Sequence, residues 1–365
     1  MKAFGFLSFG HYGPVPGSQT RDAKDALKQA LDLAVAADEI GVNGAYVRVH
    51  HFERQQSAPI PLLAAIAART KRIEVGTGVI DMRYENPLGL AEELASLDLL
   101  ADQRIAIGIS RGSPETAQRG YEAFGYTGST DPRGADIARS KFETFLAAID
   151  GAGMVAADPQ RARPGSRLRI EPQSPGLRGR IWWGSGTRET AENTGRLGLN
   201  LMSSTLLTET NGGAFADLQR EQIDRFRQAY AAAGHTGAPR VSVSRSIFPI
   251  VDERDAAYFS GADDGDQIGV IDGFRSTFGK TYAAAPDVLI EQLRADAAVQ
   301  AADTLMLTIP NQLGVDYNLH VLSSFAEHVA PALGWQPNTA GPVQGEPVVA
   351  AHAPGETAGN ETAIT

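Results

Sequence analysis

The sequence predicts one α/β domain of the TIM-barrel type, and three observations lead there. Eight apolar segments of strand length, rich in β-branched residues, recur along the chain. Each is followed by a longer segment with helical periodicity. The alternation continues almost to the end of the 365 residues, which is the count and order of a (β/α)8 barrel with insertions. An open doubly wound sheet is the competing arrangement; alternation through the whole chain favours the closed barrel.

The strands are expected at Ala3–Phe9, Ala45–Val49, Ile73–Ile80, Arg104–Ile109, Arg180–Gly184, Leu199–Ser203, Val241–Ile250 and Thr304–Ile309. The helices between them are expected at Arg21–Ile40, Pro59–Thr70, Pro87–Leu100, Asp136–Ile149, Thr187–Leu197, Phe215–Ala233, Asp287–Gln300 and Leu319–Ala332. Pro87 suits a first helical position, where its missing N–H costs nothing. Leu88, Leu90, Leu94, Leu97 and Leu100 give that helix an apolar stripe. Gly41 and Gly198 follow the first and fifth helices at C′ positions. The Pro-, Gly- and Arg-rich segment Asp158–Gly179 reads as an insertion before the fifth strand. Ala256–Ala285 has scattered Gly and Asp and no clear period, so it reads as a long loop on the C-terminal side of the barrel, a lid or a poorly ordered insertion. From Gln336 to Thr365 the composition turns to Pro, Gly, Ala and Thr. The expected division is therefore a barrel over 1–335 and a disordered C-terminal tail over 336–365.

Composition narrows the function. A net charge of −10 without any basic run argues against nucleic acid. The absence of cysteine excludes disulfides, thiolate catalysis and cysteine-ligated metal. No window is long and apolar enough for a membrane span, and the first residues read as a strand and not a signal peptide, so a cytoplasmic protein is expected.

Four places carry chemistry-bearing residues at strand ends, where ligands bind in parallel α/β folds. His50-His51-Phe52 follows the second strand. Side chains alternate along a strand, so only one of the two histidines is expected to face the mouth. With no further ligand cluster evident, no metal is expected. A histidine that bonds a loop is the alternative to a functional one. Gly78-Val79 ends the third strand, and Gly78 allows close approach to the backbone. Arg111 follows the fourth strand and offers a bidentate fork to an anion, a surface salt bridge being the alternative. Ser185-Gly186-Thr187-Arg188 passes from the fifth strand into a helix whose N-terminal N–H groups suit a phosphate, although Ser185 and Thr187 also suit simple capping. Phe6, Ser8, Met82, Arg83, Tyr84, Asn86, Met202, Ser203, Ser204, Asn311 and Gln312 are further candidates to line a pocket.

The segment from Arg72 to Gly112 resembles the bacterial luciferase-like family of flavin-dependent monooxygenases. Gly76-Thr77-Gly78-Val79, the Asn86–Leu100 run and the Gly108–Gly112 turn stand in that family's order and spacing, and weaker similarity extends from Met1 to about Trp335. The resemblance implies FMN, with its ring over a non-proline cis peptide at Gly78-Val79 and its phosphate between Arg111 and Ser185–Arg188; Asn86 joins the cofactor set. It implies His50 near the reactive edge of the flavin, where an imidazole could donate or accept a proton. The family usually has Glu before this His-His-Phe, and Val49 stands there instead. The implied activity is a flavin-dependent monooxygenase that uses reduced FMN, supplied by a separate flavin reductase, and O₂ on a small organic substrate. Relatives of this barrel bind a deazaflavin coenzyme and transfer hydride, and Arg83-Tyr84-x-Asn86-Pro87 leans to that branch. A non-catalytic flavin-binding protein is the third reading. The family's habit and apolar helix faces point to a homodimer.

Overall fold

In the computed structural model, the described residues are 1–345 and 347, apart from 113–115, 210–211, 263–264 and 272–273. The barrel strands are β1 (Ala3–Ser8), β2 (Gly44–Val47), β3 (Glu74–Asp81), β4 (Ile105–Ser110), β5 (Ile181–Ser185), β6 (Asn200–Ser203), β7 (Val241–Pro249) and β8 (Thr304–Ile309). Each pairs in parallel with its neighbours in chain order. The sheet closes where Leu201 and Met202 of β6 pair with Val241 and Ser242 of β7, and where β8 returns to β1. The TIM barrel expected from the alternation is the fold present, and closure removes every edge from the main ring.

Around the ring stand α1 (Ala23–Glu39), α2 (Pro59–Arg69), α3 (Pro87–Leu100), α4 (Ala135–Ile149), α5 (Arg188–Arg196), α6 (Phe215–Ala232), α7 (Pro286–Ala295) and α8 (Gly314–His328). Asp22 and Thr187 cap α1 and α5 by accepting N–H bonds from Asp25 and Thr190. Gly41 and Gly198 have φ of +84° and +68°, the left-handed conformation that a helix end requires. The helix expected over Asp287–Gln300 is broken at Asp296. There the extended backbone lets the carboxylate cap a second short helix, Ala297–Ala301, while it also accepts bonds from Arg245 and Tyr282.

The segment 256–285 is more ordered than its sequence pattern suggests. Helix Glu253–Phe259 opens it, and strands Gln267–Ile271 and Phe274–Phe278 form an antiparallel pair that extends onto Leu206–Leu207. Thr281–Ala284 then pairs in parallel with β7. The Asp266 carboxylate ties this segment down by accepting from the N–H groups of Phe215 and Lys280. The insertion before β5 contributes the exposed strand Arg167–Leu168, which pairs with Val155–Ala156 just ahead of it, and ends in a 3-10 turn at Leu177–Arg180.

The ordered chain runs past Trp335. Asn338 is buried; its N–H donates to Gly41 O at 2.8 Å and its side-chain amide to Arg72 O at 3.2 Å. Composition alone could not reveal that fit. Of the expected tail, residue 346 and residues 348–365 lie outside the described residues. Among the described residues, no helix is long and apolar enough to cross a membrane.

The barrel interior has two layers below its mouth. Leu7, Tyr46, Ala106, Trp182, Met202 and Met306 form the apolar layer. Beneath it, Glu74 accepts the Tyr46 hydroxyl at 2.7 Å and both terminal nitrogens of Arg240 at 2.6 and 3.0 Å. Arg240 also lies over the Trp182 ring, 4.7 Å from its centroid. Burial next to the Glu74 charge holds the Tyr46 phenol well above its ordinary range. Glu74→Ala would leave the Arg240 charge buried without its carboxylate. We expect a loss of about 3–5 kcal/mol in the unfolding free energy, read by urea denaturation. A loss below about 1 kcal/mol, the surface-pair scale, would show that the pair is not a buried support.

Candidate active site

The C-terminal ends of the strands surround a cleft of about 1230 Å³. Leu7, Gly78, Val79, Gly184 and Met202 supply its apolar floor, and Arg48, His50, Asp81, Ser110 and Arg111 its polar wall. The Gly78–Val79 peptide is cis, and the pairing of β3 with β4 shifts between Thr77 and Ile80. Room for Val79 comes from two facing glycines. A Cβ on Gly108 would stand 2.9 Å from Val79 Cγ1, and one on Gly184 would stand 3.1 Å from it.

His50 is half-buried. Its Nε2 accepts a 2.8 Å bond from Arg48 Nε, which assigns the ring proton to Nδ1. Burial first, and then the Arg48 charge, lower its pKa from the ordinary histidine value, while Glu53 and Asp81 oppose them. The partner of the imidazole is thus a guanidinium, where the resemblance had left a carboxylate missing at Val49. His51 lines the cleft as well, stacked on Tyr84 with ring centroids 4.1 Å apart. The expectation that only one histidine faces the mouth fails because β2 ends at Val47, so strand alternation does not extend to residues 50 and 51.

Arg111 is exposed on the cleft wall and has neither a hydrogen bond nor an ion pair with any described residue. Partial desolvation against the cleft wall and the neighbouring Arg133 charge lower its pKa, while Asp131 opposes them. Gly112 keeps the turn behind it tight: it has φ of +91°, and a Cβ would run into Arg83 and Asp81. Those two side chains are bonded to each other, Nη2 to Oδ2 at 2.6 Å.

The fifth-strand segment divides. Gly186 and Thr187 line the cleft, together with Thr190, Ser203 and Ser204. Ser185 is buried behind it and donates its hydroxyl to Thr187 O at 3.0 Å. Arg188 turns away to Glu221, with bonds of 2.8 and 2.7 Å, and to Glu209. Glu209 also accepts the Arg188 N–H at 2.8 Å, so a carboxylate already occupies part of this helix N-terminus. Asn86 is exposed and outside the cleft; its Oδ1 caps α3 by accepting from Leu88 and Gly89 N–H. Phe6 packs outward against the helices, and Asn311 is bonded to the His11 backbone. Arg83, Met202, Ser203 and Ser204 line the cleft as the sequence suggested.

Arg48, Ser110 and Thr190 were missed. For Arg48 a signal existed, because Gly44, Tyr46 and Arg48 follow a strand period of two. Away from the cleft, Asp252, Asp255 and His320 gather beside helix 253–259, but Asp255 is satisfied by Tyr317, His320 and the Val251 N–H.

The Luciferase-like monooxygenase family model matches residues 1–303, and the chain belongs to that family. The chain is 33% identical over 110 residues to the oxygenase component of flavin-dependent trigonelline monooxygenase from Acinetobacter baylyi, a stretch covering 30% of each chain. The aligned stretches span only about 30% of the length of the first curated relatives. The FMN complex of the oxygenating constituent of 3,6-diketocamphane monooxygenase from Pseudomonas putida superposes with a TM-score of 0.68. The match has 16% identity and covers 91% of this chain and 98% of that one. The coenzyme F420-dependent tetrahydromethanopterin reductase of Methanopyrus kandleri gives a TM-score of 0.60 at 14% identity, over 90% of this chain and 99% of that one.

The environment of His50 makes a direct prediction. Its NMR titration midpoint should lie below the ordinary 6.5. Because the Arg48 charge opposes protonation, Arg48→Gln should raise that midpoint. A midpoint above 6.5 in the unaltered protein would contradict the placement of the guanidinium.

Proposed function

We propose that this chain is a flavin-dependent oxidoreductase, and specifically the oxygenase of a monooxygenase pair that uses reduced FMN from a separate reductase. One observation carries the reading: Arg111, a cation with no hydrogen bond or ion pair to any described residue, shares a cleft with the flat backbone floor at Gly78–Val79. The residues fit the group. Gly78, Val79, Gly184 and Met202 would take the ring, while Arg111, Thr187 and Thr190 would take the phosphate, with Gly186 leaving space beside it. Arg188 and Ser185 are committed elsewhere, so the phosphate site supported here is smaller than the sequence pattern implied.

The flavin would supply the redox chemistry and the reaction with O₂. The chain would bind it, orient the substrate over the floor and hold a neutral imidazole at His50 with its proton on Nδ1. Membership of the family and the FMN-bound neighbour support FMN.

A second reading, a deazaflavin coenzyme with hydride transfer, is favoured by one feature. Arg119, Arg133 and Arg139 also line the cleft rim, which suits a cofactor tail with more negative charge than one phosphate. The F420-dependent neighbour supports the same reading. Under either reading a homodimer remains the expected assembly, and a small organic molecule the expected substrate.

Arg111→Ala should weaken FMN binding by roughly 1.5–3 kcal/mol, measured by fluorescence titration. Arg188→Ala should change it far less, because that guanidinium is bound to Glu221 and Glu209. Equal losses in the two variants would place the phosphate at the α5 terminus instead. His50→Ala should retain flavin and lose most turnover with reduced flavin and O₂. Retained flavin with unchanged turnover would remove the imidazole from the chemistry.

A further inference from the structure

We propose that the substrate of this site carries a carboxylate and that Arg48 binds it. The proposal rests on the flavin-site reading above and extends it to substrate class.

Backbone periodicity directs Arg48 into the mouth. The ladder of β2 against β1 continues one residue past Val47, where Arg48 N–H donates to Ser8 O at 2.9 Å. Residues 44, 46 and 48 therefore share the inward face, and Arg48 stands above Tyr46 in the cleft wall. Its guanidinium packs over the Phe9 ring, 4.7 Å from the centroid. Its Nε is bonded to His50. The two terminal nitrogens have no acceptor among the described residues, which leaves four N–H donors on a half-buried cation that lines the cleft.

The buried arginines are satisfied within the protein. Arg83 is bonded to Asp81, Arg240 to Glu74 and Arg245 to Asp296, each through two or more nitrogens, and Arg104 donates to the carbonyls of Ala67, Thr70 and Ile73. The carboxylate whose charge acts on Arg48 is Glu53, and it is engaged by Gln55 Nε2 at 2.7 Å and Thr116 Oγ1 at 2.9 Å. Burial disfavours the Arg48 charge, and Glu53 only partly offsets it. A guanidinium in such a place remains charged and is complemented best by a planar, bidentate oxyanion, which a carboxylate is.

Position separates this cation from the cofactor. Arg111 follows β4 and Arg48 follows β2, with β3 and its Gly78–Val79 floor between them. A carboxylate on Arg48 would lie beside His50 and place the rest of the substrate over that floor.

The test is isothermal titration of the flavin-loaded protein with benzoate against benzamide and octanoate against octanamide. The unaltered protein should bind at least one acid about tenfold or more tightly than its amide. Arg48→Gln should abolish that preference with little change in the FMN dissociation constant, and Arg48→Lys should keep part of it. Equal binding of acid and amide, binding of neither acid, or a preference that survives Arg48→Gln would overturn the proposal. So would a large loss of FMN affinity in Arg48→Gln, which would assign the arginine to the cofactor. Should that variant fail to fold, the acid–amide comparison on the unaltered protein and on Arg48→Lys still decides. Failure of FMN to bind would defeat the flavin reading, and the same titration without flavin would still report on Arg48.

Discussion

Glu74 and Arg240 meet inside the barrel with almost no access to water, and the architecture above them depends on that meeting. Two charges removed from water cost several kcal/mol each unless geometry and further bonds offset the loss. Here the pair is bidentate, Tyr46 and Thr304 add hydroxyl contacts, and Trp182 lies against the guanidinium. Tyr46 reaches Glu74 because the neighbouring strands are bare. A Cβ on Gly5, Gly44 or Gly76 would come within about 3 Å of its ring. One carboxylate thus explains a tyrosine and three glycines on the first three strands and an arginine just before the seventh.

That layer closes the bottom of the barrel and gives the cleft a fixed floor. Above it, small residues replace large ones. Gly78, Gly108 and Gly184 open a flat surface around Val79, and the charged residues of the cleft stand around that surface, from Asp81 at the end of β3 to Arg139 on α4. The chain as a whole is acidic, with a net charge of −10, yet seven arginines line this one cleft against four carboxylates, Asp81, Asp131, Glu143 and Glu189. The local excess of positive charge favours anions there although the net charge does not.

Much of the scaffold was legible because it is local. Strand and helix periods, Pro87 at a helix start, and Gly41 and Gly198 at helix ends depend on neighbours within a few residues. Arg111 and the Gly78–Val79 strand end were also legible from their places after buried strands. The rest depends on distant partners. Glu74 and Arg240 are 166 residues apart, and no pattern couples them. Arg188 looked like a phosphate ligand until Glu209 and Glu221, 21 and 33 residues further on, were seen to hold it. Asp296 splits a helix because Arg245 and Tyr282 converge on it from β7 and the strand Thr281–Ala284. The pairing of 267–278 with Leu206–Leu207 joins segments whose sequences show no strand period.

The central claim is that this cleft is a flavin site. The most direct measurement is a parallel titration of the purified protein with oxidised and reduced FMN and with a deazaflavin coenzyme, followed by absorbance and fluorescence. The account predicts saturable 1:1 binding of FMN, tighter than that of the deazaflavin. Tighter deazaflavin binding would contradict the oxygenase reading and leave a hydride-transfer enzyme. Binding of neither, in either redox state, would contradict the flavin site itself.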